Sequence, residues 1–488
     1  MPVPSVPAPP PDADLETTRR EIDRLFDLQG QHRQRLRATS ARQRRDRLRQ
    51  LREALLAHRP ALHEALHADF RKPREEVDLT EIAPVLVEIK HALAHLPRWM
   101  RPKKVSTPLF LIGTRSEVRY EPKGRGLIIA PWNYPVNLTL GPLVGAVAAG
   151  CPVLLKPSEY CPHTNRVLRD LLASVFPESE VAVVEGGVPV AEALLDLPFD
   201  HIYFTGSTQV GRRVMQAAAR HLASVTLELG GKSPVIVDET ADVDEAAAKI
   251  AFGKFSNAGQ TCIAPDHVYV HHTLAEALAQ KLAERIRAFY GTEAATRIET
   301  PHFARIISDR HFERMQTLYE EAVAQGARTV IGGVDRAEDR FLEPTILDNV
   351  PPQARLMQEE IFGPILPLIP FHNLDEVIRR INEGGRPLAL YLFSRDERRV
   401  DHVLAHTTAG GTCINDTLLQ FLHPDLPFGG IGPSGVGRAH GYRTFLAFSN
   451  ERPVLRQRLK HSPLQQFYPP YTATTRRLIR ALFKLLGA

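Results

Sequence analysis

Cysteine is scarce in this chain of 488 residues, which has only four. Cys151, Cys161, Cys262 and Cys413 are scattered, and no two of them have Cys-x-x-Cys spacing. Disulfide-stapled scaffolds and zinc ribbons need more cysteines at closer spacing, so both classes are excluded. So few thiols fit a reducing compartment best, and we expect a cytoplasmic protein.

Uninterrupted apolar runs are also missing. The long apolar stretch 138–155 contains two prolines and three glycines, and a Lys-Pro-Ser-Glu segment follows it at once. A membrane-spanning helix needs about 20 consecutive apolar residues, so we predict a buried helix that turns into a buried strand. The opening MPVPSVPAPPPDAD has no basic start followed by an apolar block, unlike a secretion signal. We expect residues 1–18 to form a disordered, proline-rich tail.

Basic residues slightly outnumber acidic ones, which gives a net charge of +5 and a pI near 9.0. Twelve arginines lie between residues 19 and 52, interleaved with acidic and apolar residues. This mixture is typical of a solvated, basic helical face. The chain contains no RNA-recognition consensus, basic zipper or zinc finger, so we expect no nucleic-acid partner.

Strand-like and helix-like segments alternate after residue 126. Short apolar runs bounded by Gly or Pro are GLIIAP, PVLLKP, EVAVVEG, DHIYFTG and SVTLELGG, with helical segments such as 164–175 between them. A second alternating region runs from about residue 231 to 420. Such alternation builds parallel sheets with right-handed crossovers, and their ligands bind at the carboxyl ends of the strands. We predict an α/β fold with two parallel-sheet domains and a hairpin near residues 106–122.

Three sequence matches to other site types fail on their context. His63, Glu64 and His67 have zinc-protease spacing, but they lie in a basic helical segment without a third ligand. The glycine spacing of Gly430–Gly435 matches a dinucleotide fingerprint, yet it follows no predicted strand and opens no helix. GGKS at residues 230–233 lacks the upstream glycine of a phosphate-binding loop. We predict no metal site.

Three other residues carry candidate chemistry. Cys262 follows the small, polar Asn-Ala-Gly-Gln-Thr segment, which gives a thiolate nucleophile the access that it needs. The other cysteines sit in apolar or strand contexts typical of buried small hydrophobes. Glu228 ends the apolar strand SVTLELGG, where burial would raise its pKa towards that of a general base. Asn133, in APWNYP, could donate to a developing oxyanion.

Seven segments together resemble one known family. PWNYP, KPSE, FTGSTQVG, LELGGKSP, GQTCIAPD, EEIFGP and LPFGG occur in this order and closely resemble the aldehyde dehydrogenase superfamily. ELGGKSP, GQTCIAPD, a short N-terminal extension and the FYPPY segment look most like the class 3, fatty-aldehyde-type branch. The resemblance implies that Cys262 is the nucleophile, Glu228 the general base and Asn133 the oxyanion donor.

The same resemblance implies the cofactor, which we expect to be NAD, with NADP possible. Residues aligned with the family's cofactor contacts come from four segments. Lys156 and Glu159 align with adenosine-ribose contacts, and Glu360 and Phe362 with nicotinamide-ribose contacts. Those expected near the pyrophosphate and its helix are Gly206, Ser207, Gly211 and Leu229. A helix N-terminus suits this role because its unpaired amides and dipole favour an anion.

The expected reaction is oxidation of medium- or long-chain aliphatic or aromatic aldehydes to acids through a Cys262 thioester. Tyr134, Ile263, Phe421 and His423 are the candidate substrate pocket. A coenzyme-A-acylating relative would generally lack the base at position 228. A cysteine hydrolase would need a His partner for Cys262. A non-catalytic protein on this fold should have lost Cys262 or Glu228, and both are present.

The resemblance also implies a domain plan and a homodimer. We expect residues 19–104 and 123–229 to form the cofactor-binding domain and 230–420 the catalytic domain. Residues 105–122 and 421–460 would bridge subunits. In the C-terminal tail, 461–488, apolar and basic residues separate onto two faces of a helix. Such a helix either packs on protein or docks reversibly on a membrane surface.

Overall fold

The computed structural model describes residues 12–460, 462–485 and 487. Its helices are α1 (Asp12–Arg37), α2 (Ala41–Ala57), α3 (Arg59–Phe70), α4 (Arg74–Val77), α5 (Ala83–Trp99), α6 (Asn137–Ala149), α7 (Pro162–Val175), α8 (Val188–Leu195), α9 (Thr208–Arg220), α10 (Val243–Phe255), α11 (Ala275–Tyr290), α12 (Ala294–Glu299), α13 (Asp309–Ala324), α14 (Arg355–Gln358), α15 (Leu374–Glu383), α16 (Glu397–His406), α17 (Leu419–Leu422), α18 (Gly441–Ala447) and α19 (Ala473–Leu485). Its strands are β1 (Lys103–Val105), β2 (Thr114–Pro122), β3 (Gly126–Ile129), β4 (Val153–Lys156), β5 (Val181–Val183), β6 (His201–Gly206), β7 (Ser224–Leu229), β8 (Pro234–Val237), β9 (His267–His271), β10 (Arg328–Ile331), β11 (Asp335–Arg336), β12 (Phe341–Leu342), β13 (Thr345–Asp348), β14 (Ile365–Phe371), β15 (Ala389–Phe393), β16 (Gly411–Ile414), β17 (Gly435–Val436) and β18 (Ser449–Gln457).

The first large sheet has the strand order β17-β7-β6-β3-β4-β5. The five strands β3 to β7 are parallel, which confirms the alternation of strands and helices inferred from the sequence. Successive residues of β3 enter different cores: Ile128 packs on one face of the sheet and Leu127 on the other. Both faces are therefore buried, as the near-continuous apolar strands require.

The second large sheet has the order β10-β13-β14-β9-β8-β15-β16 and is parallel except for β10. Together the two sheets confirm the predicted α/β class with two parallel-sheet units. The stretch 138–155 forms the buried helix α6 and leads into β4, as predicted. No helix among the described residues is long and apolar enough to cross a bilayer.

A third, small sheet contains the hairpin predicted near residues 106–122, but its first strand lies a few residues earlier than expected. Strand β1 ends before that segment and pairs with β2, whereas residues 109–111 form a tight helical turn. Pro108, which has no backbone N–H to donate, stands between them. The other edge of β2 pairs with β18 over nine residues, from Thr114 opposite Gln457 to Pro122 opposite Ser449.

Two boundaries also differ from the sequence-based domain plan. Residues 12–18, which we assigned to a disordered tail, belong to α1. In this helix Leu15 packs against the core that contains Leu127 of β3. The predicted tail at residues 1–11 lies outside the described residues. The bridging segment 421–460 also returns strand β17 to the first sheet, where Gly435 pairs with Glu228.

Candidate active site

Cys262 lies between α10 and β9 in a loop with unusual backbone geometry. Asn257, Ala258 and Gly259 have φ values of 55°, 52° and 73°, so three successive residues are left-handed. Non-glycine residues adopt this region only when their surroundings hold them there. At Gly259 a Cβ would collide with the Gly363 carbonyl oxygen, so the close approach of the two backbones requires glycine.

Side chains from the second sheet hold the backbone on both sides of the thiol. The Tyr391 hydroxyl donates to the Ile263 carbonyl oxygen at 2.6 Å, and the Ser233 hydroxyl lies 3.4 Å from the Cys262 carbonyl oxygen. Ile263 itself is buried in the core. The structure therefore places this candidate pocket residue behind the nucleophile.

Glu228 is a buried carboxylate near the end of β7. Neither of its oxygens has a hydrogen-bond partner among the residues that the structure describes. Burial raises the pKa of Glu228 well above its usual value, and the positive charge of Arg438 opposes this rise only in part. A carboxylate with free lone pairs and a raised pKa is suited to accept a proton from water or a ligand.

Cys262 and Glu228 line the same small cavity, of about 50 Å³. Its walls are mainly apolar and include Pro84, Leu138 and Phe421. Burial, assisted by the nearby carboxylates of Glu360 and Glu228, raises the pKa of the Cys262 thiol to about 12. The protonated thiol is thus favoured, because burial disfavours the charged form and no cation offsets it.

Asn133 approaches the same loop from the end of β3. Its buried side-chain Nδ2 donates to the Gln260 carbonyl oxygen at 3.0 Å, two residues before Cys262. Its own carbonyl oxygen accepts from Asn257 Nδ2 at 2.8 Å. An amide has two N–H donors, so one remains for a ligand, although Asn133 is not among the residues that line the cavity of Cys262 and Glu228.

Of the four candidate pocket residues, only Phe421 lines the cavity. Tyr134 is buried, with its hydroxyl 2.6 Å from Thr261 Oγ1, and His423 is exposed, with its ring nitrogen accepting from the Asp425 amide. Sequence reasoning missed several cavity-lining residues: Pro84, Glu88, Asn137, Leu138, Tyr203, Thr205, Phe428, His440 and Thr444. These residues come from separate segments of the chain, and no local sequence signal marks them as cavity-lining.

The expected adenosine side of the cofactor site lies at the end of β4. Lys156 is buried, and its Nζ lies 3.2 Å from Glu159 Oε2. The Glu159 side chain is 40% exposed. Both are at the carboxyl edge of the sheet, where nucleotides bind in such folds. The pair therefore fits a ribose, because it offers one cationic donor and one acceptor for hydroxyl groups.

Helix α9 starts directly after β6, at the same edge. Ser207 caps it, with its hydroxyl accepting from the Val210 amide at 3.4 Å, and the first turn is largely exposed. Gly211 allows close packing, since a Cβ there would lie 2.5 Å from Leu229 Cδ2. Leu229 is itself buried in the core, so it supports this helix rather than facing the cleft. Gly206 and the helix start present free amides suited to a pyrophosphate.

Glu360 and Phe362, the expected contacts of the nicotinamide ribose, lie directly after the short helix α14. Glu360 accepts a hydrogen bond from the Gly231 amide, and burial raises its pKa to about 8. A Cβ at Gly230 would collide with the Glu360 carboxylate, so glycine is needed there. The Phe362 ring packs edge-to-face with Trp132 at 5.4 Å. The acceptor beside a glycine backbone fits a second ribose, and the residues present therefore fit a dinucleotide.

Comparison with known proteins agrees with this architecture. The model of the aldehyde dehydrogenase family matches residues 15–454. "Aldehyde dehydrogenase family 3 member B1" of Rattus norvegicus is 44% identical, over 91% of this chain and 93% of that protein. "Probable coniferyl aldehyde dehydrogenase" of Pseudomonas aeruginosa is 42% identical, over 96% of this chain and 98% of that protein.

Solved structures show the same fold. The substrate-bound state of AldH from Staphylococcus aureus is similar with a TM-score of 0.91 and 40% identity, over 95% of this chain and 99% of that chain. An NAD+ complex of aldehyde dehydrogenase from Bacillus cereus has a TM-score of 0.82 and 27% identity, over 90% of this chain and 89% of that one. The chain therefore belongs to the aldehyde dehydrogenase family, in its class 3 branch, and is an oxidoreductase that acts on aldehydes.

Proposed function

We propose that the enzyme oxidises aldehydes to carboxylic acids through a covalent thioester on Cys262, which is hydrolysed by water that Glu228 activates. The observation that carries this proposal is the shared cavity, lined by the half-buried Cys262 thiol and a buried carboxylate that has no hydrogen-bond partner among the described residues. Covalent capture divides one difficult oxidation into two easier steps.

The residues act in a fixed order. The Cys262 thiol loses its proton to solvent, its sulfur attacks the aldehyde carbon, and Asn133 donates its free N–H to the oxyanion that forms. Collapse of this adduct expels a hydride and leaves the thioester. Glu228 then takes a proton from water, the hydroxide attacks the thioester, and the acid leaves as the sulfur is regenerated. When bound, the oxidised nicotinamide would supply the acceptor for this hydride.

The cofactor is NAD, with NADP as a second substrate. The Glu159 side chain supports this preference, because its carboxylate can accept a hydrogen bond from a ribose 2′-hydroxyl and repels a 2′-phosphate. The 40% exposure of this side chain leaves it free to swing away from a phosphate. The Bacillus cereus relative described above was solved with NAD+.

Apolar aldehydes, either aliphatic or aromatic, are the substrate class. Phe421 and Leu138 in the cavity wall support this, and one relative is named for coniferyl aldehyde. We expect reduced-cofactor absorbance to rise with NAD, and more slowly with NADP, on hexanal, a long-chain aldehyde, benzaldehyde or a cinnamyl-type aldehyde. The order of the four oxidation rates would show whether aliphatic or aromatic aldehydes are the preferred substrates. Turnover of none, with cofactor still bound, would contradict the proposed reaction.

Hydrolysis is favoured over transfer to coenzyme A. An acylating enzyme does not need a base for water, whereas Glu228 is present, buried and without a partner in the described part of the chain. A non-catalytic role on this fold would leave both Cys262 and Glu228 without a function. The two alternatives therefore explain less of the cavity than the hydrolytic mechanism does.

The homodimer implied by the family is also part of the proposal. Strands β2 and β18 form a long two-stranded ribbon, and β1 leaves one exposed edge of this sheet. An edge strand presents unpaired N–H and C=O groups with which another chain can pair. We propose that this sheet bridges two subunits. Light scattering would measure whether the enzyme is a dimer in solution. We also propose that the enzyme is cytoplasmic.

The C-terminal helix α19 is a candidate for contact with a membrane surface. Leu478, Ile479 and Leu482 are half-buried, and the Phe483 side chain is exposed. Basic residues on the other side, Arg476, Arg480 and Lys484, are exposed. The predicted apolar residue 486 lies outside the described residues. Packing against the turn Pro463–Phe467 accounts for part of this apolar face, and peripheral lipid binding would account for the rest.

Deleting residues 476–488 is expected to abolish salt-sensitive pelleting of the enzyme with anionic phospholipid vesicles. Replacing Arg476, Arg480 and Lys484 together with Gln should weaken pelleting by removing the attraction to lipid headgroups. The full-length protein mixed with neutral vesicles serves as the control. Equal pelleting of the full-length and shortened chains would contradict lipid docking and favour packing on protein.

A further inference from the structure

Three ionisable side chains that the proposed chemistry does not use are enclosed beneath the catalytic loops. Lys72 and Glu81 are completely buried, with 3.1 Å between Nζ and Oε1. Glu76 lies between them in the chain, and its Oε1 is buried without a partner among the described residues. Burying charge is costly unless the group is paired and hydrogen-bonded. The contacts of these three residues therefore indicate what the cluster holds in place.

Glu81 holds the start of α6. Its second oxygen, Oε2, accepts the amides of Val136 at 3.1 Å and Asn137 at 2.9 Å. These amides belong to the helix N-terminus, where a carboxylate is favoured by the unpaired donors and the helix dipole. Lys72 Nζ also lies 4.0 Å above the centre of the Tyr134 ring. The pair thus fixes the chain directly after Asn133.

Glu76 reaches Asn133 from the other side. The backbone amide of Asn257, the first of the left-handed residues in the nucleophile loop, lies beside its carboxylate and opposes the rise in its pKa that burial causes. The side chain of Asn257 donates to the Asn133 carbonyl oxygen at 2.8 Å and to the Gln260 carbonyl oxygen at 3.1 Å. Asn257 therefore stands between Glu76 and Asn133, next to the first and hydrogen-bonded to the second.

We propose that Glu76 and the Lys72–Glu81 pair are positioning residues that hold the Asn133 amide against Cys262. This inference rests on the proposed function, which assigns Asn133 as the oxyanion donor. An oxyanion donor acts only within about 2.7–3.1 Å of the position that the charge will occupy. The Asn133 side chain has one hydrogen bond of its own, to the Gln260 carbonyl oxygen. The cluster supplies the remaining restraint through the backbone on either side.

A double-mutant cycle on the full-length enzyme with NAD and hexanal tests this. Asn133→Ala is expected to lower kcat by about 10²- to 10³-fold. Glu76→Met, which keeps the volume and removes the acceptor, should lower kcat by about 10-fold and leave KM for hexanal within about twofold, because a misplaced donor weakens the transition state rather than binding. In the Asn133→Ala background, Glu76→Met should cause no further loss, since coupled residues are not additive.

Two further variants separate positioning from folding. Glu76→Gln should recover most of the activity, because its carbonyl oxygen can accept the Asn257 amide. Asp69→Asn is the matched control: this buried carboxylate accepts the His163 and Thr164 amides at the start of α7, away from the cavity. It should lower the melting temperature, and any effect on kcat should be additive with Asn133→Ala. Glu76→Ala repeats the cycle if the Met variant does not fold.

The outcomes are distinguishable. The positioning role would be overturned if the loss of kcat on replacing Glu76 were additive with that of Asn133→Ala, or if neither Glu76→Met nor Glu76→Ala lowered kcat. Either result would leave the proposed function intact. An Asn133→Ala enzyme with wild-type kcat would instead overturn the assignment of Asn133 as oxyanion donor. A loss on Glu76→Met that depends on Asn133 and is recovered by Gln supports the inference.

Discussion

Cys262→Ser is expected to remove aldehyde oxidation, lowering kcat by about 10⁴-fold or more. The loop fixes position 262 through the Ile263 carbonyl oxygen, so the serine hydroxyl should occupy the same place. Its oxygen, however, remains protonated and is a far weaker nucleophile than sulfur. The measurement is reduced-cofactor absorbance at saturating aldehyde, with cofactor binding followed separately by fluorescence.

Cys413→Ser is the matched control for this prediction. Cys413 is also half-buried and unpaired, but it lies on β16 and does not line the cavity with Glu228. Its replacement should leave kcat within about twofold, because a surface-near substitution of similar size changes little. Oxidation by Cys262→Ser at more than a tenth of the wild-type rate would show that another group is the nucleophile.

Glu228→Gln is expected to stop the enzyme after one turnover. Hydride release precedes the step that needs the base, so reduced cofactor should appear in a burst of about one equivalent per active site. Steady-state turnover should then fall by about 10²- to 10⁴-fold, the usual contribution of a general base. Stopped-flow absorbance measures the burst, and mass spectrometry of the quenched protein should detect the acyl group on the peptide that contains Cys262.

The pH profile gives an independent check of the base. Burial raises the pKa of Glu228 well above its usual value. A general base acts in its deprotonated form, so wild-type kcat should rise as pH increases through this raised pKa. Glu228→Gln should lack this limb. Multiple turnover by the variant at the wild-type rate, or a variant that keeps the same pH limb, would place the base elsewhere.

The sheets of the enzyme were predictable because their signals are local. Runs such as GLIIAP and PVLLKP are apolar apart from Lys156 and are bounded by Gly or Pro, which predicts buried parallel strands. Strands β3 and β4 form within those two runs. The third strand of the small sheet was not predictable, for the opposite reason. Strand β18 pairs with β2 from more than 300 residues further along the chain, and no local signal marks this pairing.

The sequence by itself determined the residue types at the strand ends, and with them the family and the candidate chemistry of Cys262 and Glu228. Only the tertiary structure decided how these groups are surrounded. It buried Tyr134 and Ile263, left His423 in solvent, and placed two carboxylates near the thiol. The physical reason is that strand and helix patterns depend on neighbours in the chain. Burial, pKa and cavity shape depend on residues brought together from α5, α6, β6, β7 and the segment 421–444, and these lie far apart in sequence.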